Sequence, residues 1–338
     1  MGIDSQFDES YKICEYPVDP SWEKIMNRQF PRYEEYRRNW KMASEGHIFP
    51  FPLCVEVESS YYCNLRCPMC AREVIGTFDE KGFLEPEIYT KLLKEASQHQ
   101  MSAIMMDHEG EPLTNPRIAD MVKEAQDAGL FDIWLHTNAN LLTEELSEAL
   151  IKNGITKMNF SIDAATEQTY DKIRIGGNYP LVVKNVMKFL ELKKKMKKDY
   201  IRTRVSFVLQ KDNGHEREAF INLWKDKVNL ISIQSMVDFK HFVNSQEELS
   251  ADDLKKFICF RAFQLLIVRY NGDVIPCGMT FRHYKKEEYD LGNLKNTTIE
   301  ECWNSKISKH IRECHLQKQH DKIPFCRDCN LGYKNSAK

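Results

Sequence analysis

Three thiols fall within one loop, Cys63-Asn64-Leu65-Arg66-Cys67-Pro68-Met69-Cys70, at C-x3-C-x2-C spacing. Closed iron–sulfur sites normally use four cysteines. A loop with three can bind three irons of a four-iron cubane and leave the fourth open to an outside molecule. A zinc site would want a further ligand close by, and none follows within the loop. A second set, Cys259, Cys277, Cys326 and Cys329, is spaced C-x17-C-x48-C-x2-C. Four thiolates close either a [4Fe–4S] cluster or a zinc site, and spacing alone does not choose. Four cysteines remain: Cys14, Cys54, Cys302 and Cys314. Cys302 lies in the amphipathic run Ile299-Glu300-Glu301-Cys302-Trp303 and reads as core. Cys54 opens a strand, roughly 13 Å from its carboxyl end.

These groups need elements to hold them. Val55-Glu56-Val57-Glu58 alternates and reads as a strand running into the cysteine loop. Further strands are predicted at about 103–106, 131–136, 158–162, 205–209 and 230–234. Between them, apolar stripes at helical spacing predict helices over 88–96, 116–128, 142–150, 183–190 and 220–227, with stops at Gly129 and Asn153-Gly154. Strands alternating with helices argue for a parallel α/β sheet whose chemistry sits at the carboxyl ends of the strands. Residues 1–50 precede this region. Among them Trp22, Phe30, Tyr33, Tyr36 and Trp40 predict a helical extension packed on the main domain, or alternatively a cover over the substrate. After residue 245 the alternation ends. A hairpin over 264–276 turns at Asn271-Gly272, short helices follow at 298–305 and 306–316, and the tail carries Cys326 and Cys329. The expected regions are therefore 1–50, 51–245 and 246–338.

Composition narrows the class. With 338 residues, 42% of them hydrophobic, and a formal charge of −2, the chain can bury a large core and shows no bias towards nucleic acid or anionic membrane. No apolar run approaches eighteen residues and the first ten are acidic and polar, so neither a membrane span nor a secretory signal is expected. Eleven cysteines in such a chain point to metal or redox chemistry in a reducing, cytoplasmic setting. Lys193, Lys194, Lys195, Lys197 and Lys198 read as a solvated helix C-terminus.

The cysteine loop behind its strand resembles the radical S-adenosylmethionine (SAM) superfamily. The resemblance implies a partial (β/α)6 TIM-type barrel, a [4Fe–4S] cluster on Cys63, Cys67 and Cys70, and SAM bound to the open iron. Its chemistry would be reductive cleavage of SAM to a 5′-deoxyadenosyl radical that takes a hydrogen atom from substrate. Asp107-His108-Glu109-Gly110-Glu111-Pro112 resembles the family's Gly-Gly-Glu motif, with Glu109 in place of the first glycine. By resemblance Gly110, Glu111 and Pro112 face the SAM amino group. Ser161, Asp163 and Asn138, at strand ends, have the donors and acceptors that ribose hydroxyls need. Gln210 and Asn213 would complete the pocket, and Met69 would meet adenine through its thioether; ordinary loop polarity and filling are the plainer readings of these three. His108 reads as an acid–base group or as a structural histidine. Arg174-Ile175-Gly176-Gly177 has no strand leading straight into it and is not read as a phosphate loop.

The second cysteine set resembles the auxiliary-cluster domains called SPASM or, when shortened, twitch. This implies a small C-terminal α+β iron–sulfur domain. Nine residues without cysteine follow Cys329, which leaves one auxiliary [4Fe–4S] cluster. The pattern is similar to twitch-type 2-deoxy-scyllo-inosamine dehydrogenases and to short radical SAM/SPASM proteins of sugar and polysaccharide biosynthesis. The implied function is dehydrogenation of a hydroxyl carbon of a sugar, nucleotide sugar or aminocyclitol, with the auxiliary cluster as electron acceptor. A reducing partner such as flavodoxin or ferredoxin is implied as well. Carbohydrate epimerisation is the first alternative, although no remaining cysteine is well placed to return a hydrogen atom. Peptide modification and a non-catalytic iron–sulfur or zinc protein are the others.

Overall fold

The computed structural model describes residues 14–17, 21–77, 79–236, 258–280, 286–327 and 329. The expected boundary near residue 245 lies outside the described residues. Six strands, β2 (Cys54–Val57), β3 (Ala103–Met105), β4 (Asp132–Thr137), β5 (Lys157–Ser161), β6 (Arg202–Leu209) and β7 (Leu230–Ser235), pair in chain order and in parallel. Helices cross between them, as in a partial TIM-type barrel. Each lays an apolar stripe on the sheet; Ile88, Leu92, Leu93 and Ala96 of Pro86–Gln98 are all buried. On Tyr179–Lys195 the buried face is Val182, Val186, Phe189 and Leu192, whereas Met187 is 39% exposed. That face is turned slightly from the one that the apolar repeat Val183, Val186, Met187 and Leu190 predicts, and Phe189 on it packs edge-on against Phe160 of β5.

Alternation along β2 does not separate core from water. Val55 and Val57 are fully buried, Glu56 is buried as well, and so is Glu58 just beyond the strand. The carboxylates find polar partners within the protein, which is how a strand can alternate without a wet face.

Two additions lengthen the sheet. The strand β1 (Cys14–Pro17) pairs antiparallel with β7 and covers that edge. At the other edge β8 (Leu265–Val268) joins β2 in parallel, from Cys54 beside Leu265 to Val57 beside Val268. Then β9 (Asp273–Ile275) returns antiparallel and β10 (Gly292–Asn293) follows it. The turn between β8 and β9 uses Gly272 at φ +89°, the left-handed region that favours glycine. The C-terminal unit therefore continues the barrel's own sheet.

The aromatic N-terminal helices, Trp22–Gln29 and Tyr33–Ser44, pack where the strands begin. Tyr36 donates to Asp132 Oδ2 at 2.8 Å, Trp22 Nε1 donates to the Tyr200 carbonyl at 2.7 Å, and Phe30 stacks on Phe131. The expected packing role is what these residues perform. A cover over the substrate is excluded for these two helices, since they lie at the end of the barrel opposite the cysteine loop. Among the described residues no helix is long and apolar enough to cross a membrane.

Candidate active site

The loops leaving the carboxyl ends of β2, β3 and β4, with the end of β5, enclose a cavity of about 250 Å³. Cys63, Cys67, Met69 and Cys70 line it from the first loop, Gly110 and Glu111 from the second, Asn138 from the third, and Ser161 from β5. Burial and the neighbouring Glu111, Cys67 and Cys70 push the Cys63 thiol up to about 12. A bound metal cation would balance the charge of such a set of thiols and favour their ionised form.

Gly110 is needed for this closeness. A Cβ there would lie 2.0 Å from the Ser60 carbonyl oxygen, so no other residue lets the second loop reach the first. Glu111 then ties three loops together. Its backbone N–H donates to the Tyr62 carbonyl at 2.8 Å. Its carboxylate accepts from Thr137 Oγ1 at 2.7 Å, Asn138 N at 2.8 Å and Leu113 N at 3.1 Å. Burial outweighs these donors and pushes its carboxyl up to about 7. Asn138 in turn donates to Asn64 Oδ1 at 2.9 Å, which fixes the cysteine loop against β4.

Three expected SAM contacts sit elsewhere. Asp163 is fully buried at φ +63°, with one carboxylate oxygen paired to Arg174 and the other accepting from Val208 N at 2.7 Å. Each oxygen has a partner, the side chain is fully buried, and it is absent from the cavity lining, so the structure places it as a support beneath the cavity wall. Pro112 is buried and starts the 3-10 turn Pro112–Thr114 behind Glu111. Gln210 lies off the cavity lining. Its loop is pinned by Asn213, which accepts from Gln210 N at 2.7 Å and donates to the Asp163 and Val208 carbonyls.

Other residues take part that the sequence reading passed over. Arg174 lines the cavity and donates to Cys67 Sγ at 3.8 Å while Asp163 holds it. The glycine-rich stretch after it docks on the cysteine loop, where the Ile175 carbonyl accepts from Arg66 N at 2.9 Å. His136 also faces the cavity. Its Nδ1 is 2.8 Å from Asp107 Oδ2, and its Nε2 is 2.8 Å from Asn159 Nδ2 and 2.9 Å from Arg204 Nη2. Amide and guanidinium nitrogens only donate. Nε2 is therefore the acceptor, and the ring proton sits on Nδ1 towards Asp107.

His108 connects the two cysteine sets. It lines the cavity, and its Nδ1 is 2.7 Å from Glu56 Oε1. Burial alone would lower its pKa, but the Glu56 hydrogen bond and the charges of Glu56, Glu109 and Glu58 raise it to about 9. The other Glu56 oxygen accepts from Arg261 at 2.7 Å. Arg261 in turn feels the thiols of Cys277 and Cys259. On the same side Gly278, next to Cys277, lies against the imidazole: a Cβ there would be 2.9 Å from His108 Cε1. Cys326 is half-buried near Cys259, Cys329 and Cys277, and desolvation first, then their charges, hold its thiol well above the usual range. Cys329 N donates to the Cys326 carbonyl at 3.1 Å, closing the last turn of the quartet.

The arrangement defines a class: a partial barrel with a three-thiol loop at its mouth and a second set of four half-buried thiols on the unit that continues its sheet. The radical SAM superfamily matches residues 57–223, and SPASM, an iron–sulfur cluster-binding domain, matches residues 259–330. The chain belongs to the radical SAM superfamily and carries a SPASM-type domain. A curated relative, the tungsten-containing aldehyde ferredoxin oxidoreductase cofactor-modifying protein of Pyrococcus furiosus, is 25% identical over 317 residues, covering 81% of this chain and 86% of the relative. Among solved structures, BtrN in complex with AdoMet and 2-DOIA superposes with a TM-score of 0.55 at 18% identity, covering 84% of this chain and 94% of BtrN. Streptococcus suis SuiB bound to S-adenosylmethionine gives a TM-score of 0.59 at 15% identity, covering 93% and 78%. At such identities the two structures share the fold. Free thiols are the donors such groups take: Cys63, Cys67 and Cys70 would hold the SAM cluster, and Cys259, Cys277, Cys326 and Cys329 the auxiliary one.

Proposed function

We propose that this radical SAM enzyme dehydrogenates a hydroxyl-bearing carbon of a sugar, nucleotide sugar or aminocyclitol. With SAM and both clusters bound, the site supplies a 5′-deoxyadenosyl radical to take the hydrogen atom and an acceptor for the remaining electron. The chain's own residues do the rest. Glu111 and Asn138 hold the SAM-binding loops in register, Gly110 clears space for them, and Ser161 offers a hydroxyl to the ribose. His136 lines the cavity with its ring fixed by Asp107 on one side and by Asn159 and Arg204 on the other, and so shapes the wall that a substrate hydroxyl would meet. One observation carries the reading: the auxiliary ligand loop at Cys277-Gly278 packs on the imidazole that lines the SAM cavity. An electron acceptor that near suits an oxidation.

The test is a panel of sugars, nucleotide sugars and aminocyclitols incubated anaerobically with SAM, reductant and reconstituted enzyme. The expected product is two mass units lighter, with one 5′-deoxyadenosine per turnover. A product of unchanged composition carrying one deuterium from heavy water would mean epimerisation instead. Peptide modification is the second reading, favoured by the fold shared with SuiB, which has been solved bound to its precursor peptide SuiA. A flavodoxin or ferredoxin as electron donor belongs to either reading.

A further inference from the structure

An imidazole stands beside the auxiliary cysteines. His315, on the helix Lys306–Leu316, is 2% exposed, and its Nε2 lies 3.5 Å from Cys326 Sγ. The ring of His320 meets it edge-on, 4.3 Å between centroids, and holds its plane. Its Nδ1 meets no hydrogen-bond partner among the described residues. We infer that His315 donates its Nε2–H to the Cys326 sulfur and so raises the reduction potential of the auxiliary cluster.

Cluster binding makes Cys326 a thiolate, an acceptor only. A lone pair on Nε2 would face that negative sulfur, and the ring proton would be stranded on a buried Nδ1. Placing the proton on Nε2 removes both conflicts. A doubly protonated ring would donate from Nε2 just the same, so the assignment does not depend on the protonation state. Reduction adds one electron to the cluster, breaks no bond, and leaves the proton on Nε2. The added negative charge spreads onto the sulfurs, and a donor aimed at one of them stabilises the reduced form more than the oxidised one. His315 is thus a positioning residue for the electron, whichever substrate supplies it.

The experiment uses the full chain with Cys63, Cys67 and Cys70 each changed to Ala, so that the auxiliary cluster is the remaining one. It is reconstituted anaerobically and titrated electrochemically with electron paramagnetic resonance detection. This parent is compared with versions that also carry His315→Leu or His315→Gln. About four irons per chain are expected in all three. The Leu version should favour the oxidised form by about tenfold at a fixed potential, ~59 mV for one electron. Gln, which keeps an N–H donor, should recover most of that shift. In heavy water the reduced parent should show an exchangeable deuteron coupled to the cluster, absent in the Leu version. A Leu potential equal to the parent's overturns the inference. So does loss of iron from both variants with unchanged circular dichroism, which would make His315 a ligand. Should the Leu version not fold, a Gln version matching the parent together with the deuteron coupling in the parent supports the inference, and absence of that coupling overturns it.

Discussion

Gly110 and His108 carry the site's most exposed dependencies at the residue scale. Gly110→Ala drives a Cβ into a backbone carbonyl that has no rotamer to escape through. Overpacking of this kind costs about 1–3 kcal/mol. The loop must also swing away from the cysteine loop, so SAM cleavage should fall by at least tenfold while urea unfolding shows only that modest loss. Unchanged SAM cleavage would rule out the close approach. For His108 the sign follows from its shift. Its pKa rises from 6.5 to about 9 on folding, so its stabilising share is complete below 6.5 and disappears as pH climbs through 9. The shift corresponds to about 3 kcal/mol, while Glu56 is depressed to about 2 against its burial first by the Arg261 charge and then by His108, so only part of that depression belongs to this pair. Wild-type stability should therefore fall between pH 6.5 and 9 relative to His108→Asn. Parallel stability–pH curves for the two proteins would sink this account.

Elements were far more legible in the sequence than the contacts between them. Every barrel strand announced itself because each is a short apolar or alternating run followed by a helical stripe. Cys63, Cys67 and Cys70 were legible because cysteine spacing within one loop is a local property. Arg174 was not: an arginine eleven residues beyond Asp163 looks like any surface cation until the chain folds it back onto Cys67. Asp163 misled for the complementary reason, since a carboxylate ending a strand looks available until its partners are seen. The pairing of β8 with β2 joins residues more than two hundred positions apart, and no local pattern encodes it. The N-terminal aromatic helices belong to this scale too. Tyr36 donates to Asp132, a fully buried carboxylate also paired with Lys157 at 2.7 Å. Tyr36→Phe removes one donor from that carboxylate, at a cost of about 1–3 kcal/mol. Because this contact lies at the amino ends of the strands, the thermal midpoint should drop with the SAM cleavage rate unchanged at 25 °C. A lower cleavage rate at unchanged stability would place these helices in the catalytic machinery.

Two iron–sulfur sites share one continuous sheet, so the molecule should not divide at the join. The C-terminal unit gives β2 its parallel neighbour, with the Val268 carbonyl accepting from Glu58 N at 2.8 Å and the Gln264 carbonyl from Leu53 N at 2.9 Å. It also supplies the partners of two buried carboxylates. Arg261 holds Glu56, and Tyr270 N donates to Glu58 at 3.2 Å with Arg269 alongside at 3.8 Å. Removing one partner of a buried ion pair costs about 3–5 kcal/mol. Glu58 can relieve itself by taking a proton, since burial already pushes its carboxyl up. Glu56 has less room to do so, held down at about 2 although burial opposes it. The Glu56 loss, reduced because Arg261 is 36% exposed, adds to an opened sheet edge and is a large share of the whole stability of a domain, about 5–15 kcal/mol. A chain ended at residue 257 should therefore fail to form a cooperative barrel and should not assemble the cluster on Cys63, Cys67 and Cys70. The contrasting variant is the full chain with Cys326→Ala and Cys329→Ala, which removes auxiliary ligands but keeps β8, Arg261 and Tyr270. It should unfold in a single transition and drop from about eight irons to about four. If the shortened chain instead unfolded cooperatively with about four irons bound, the barrel would be autonomous. The contacts across β2 and β8 would then serve the placement of the auxiliary site and not the stability of the barrel.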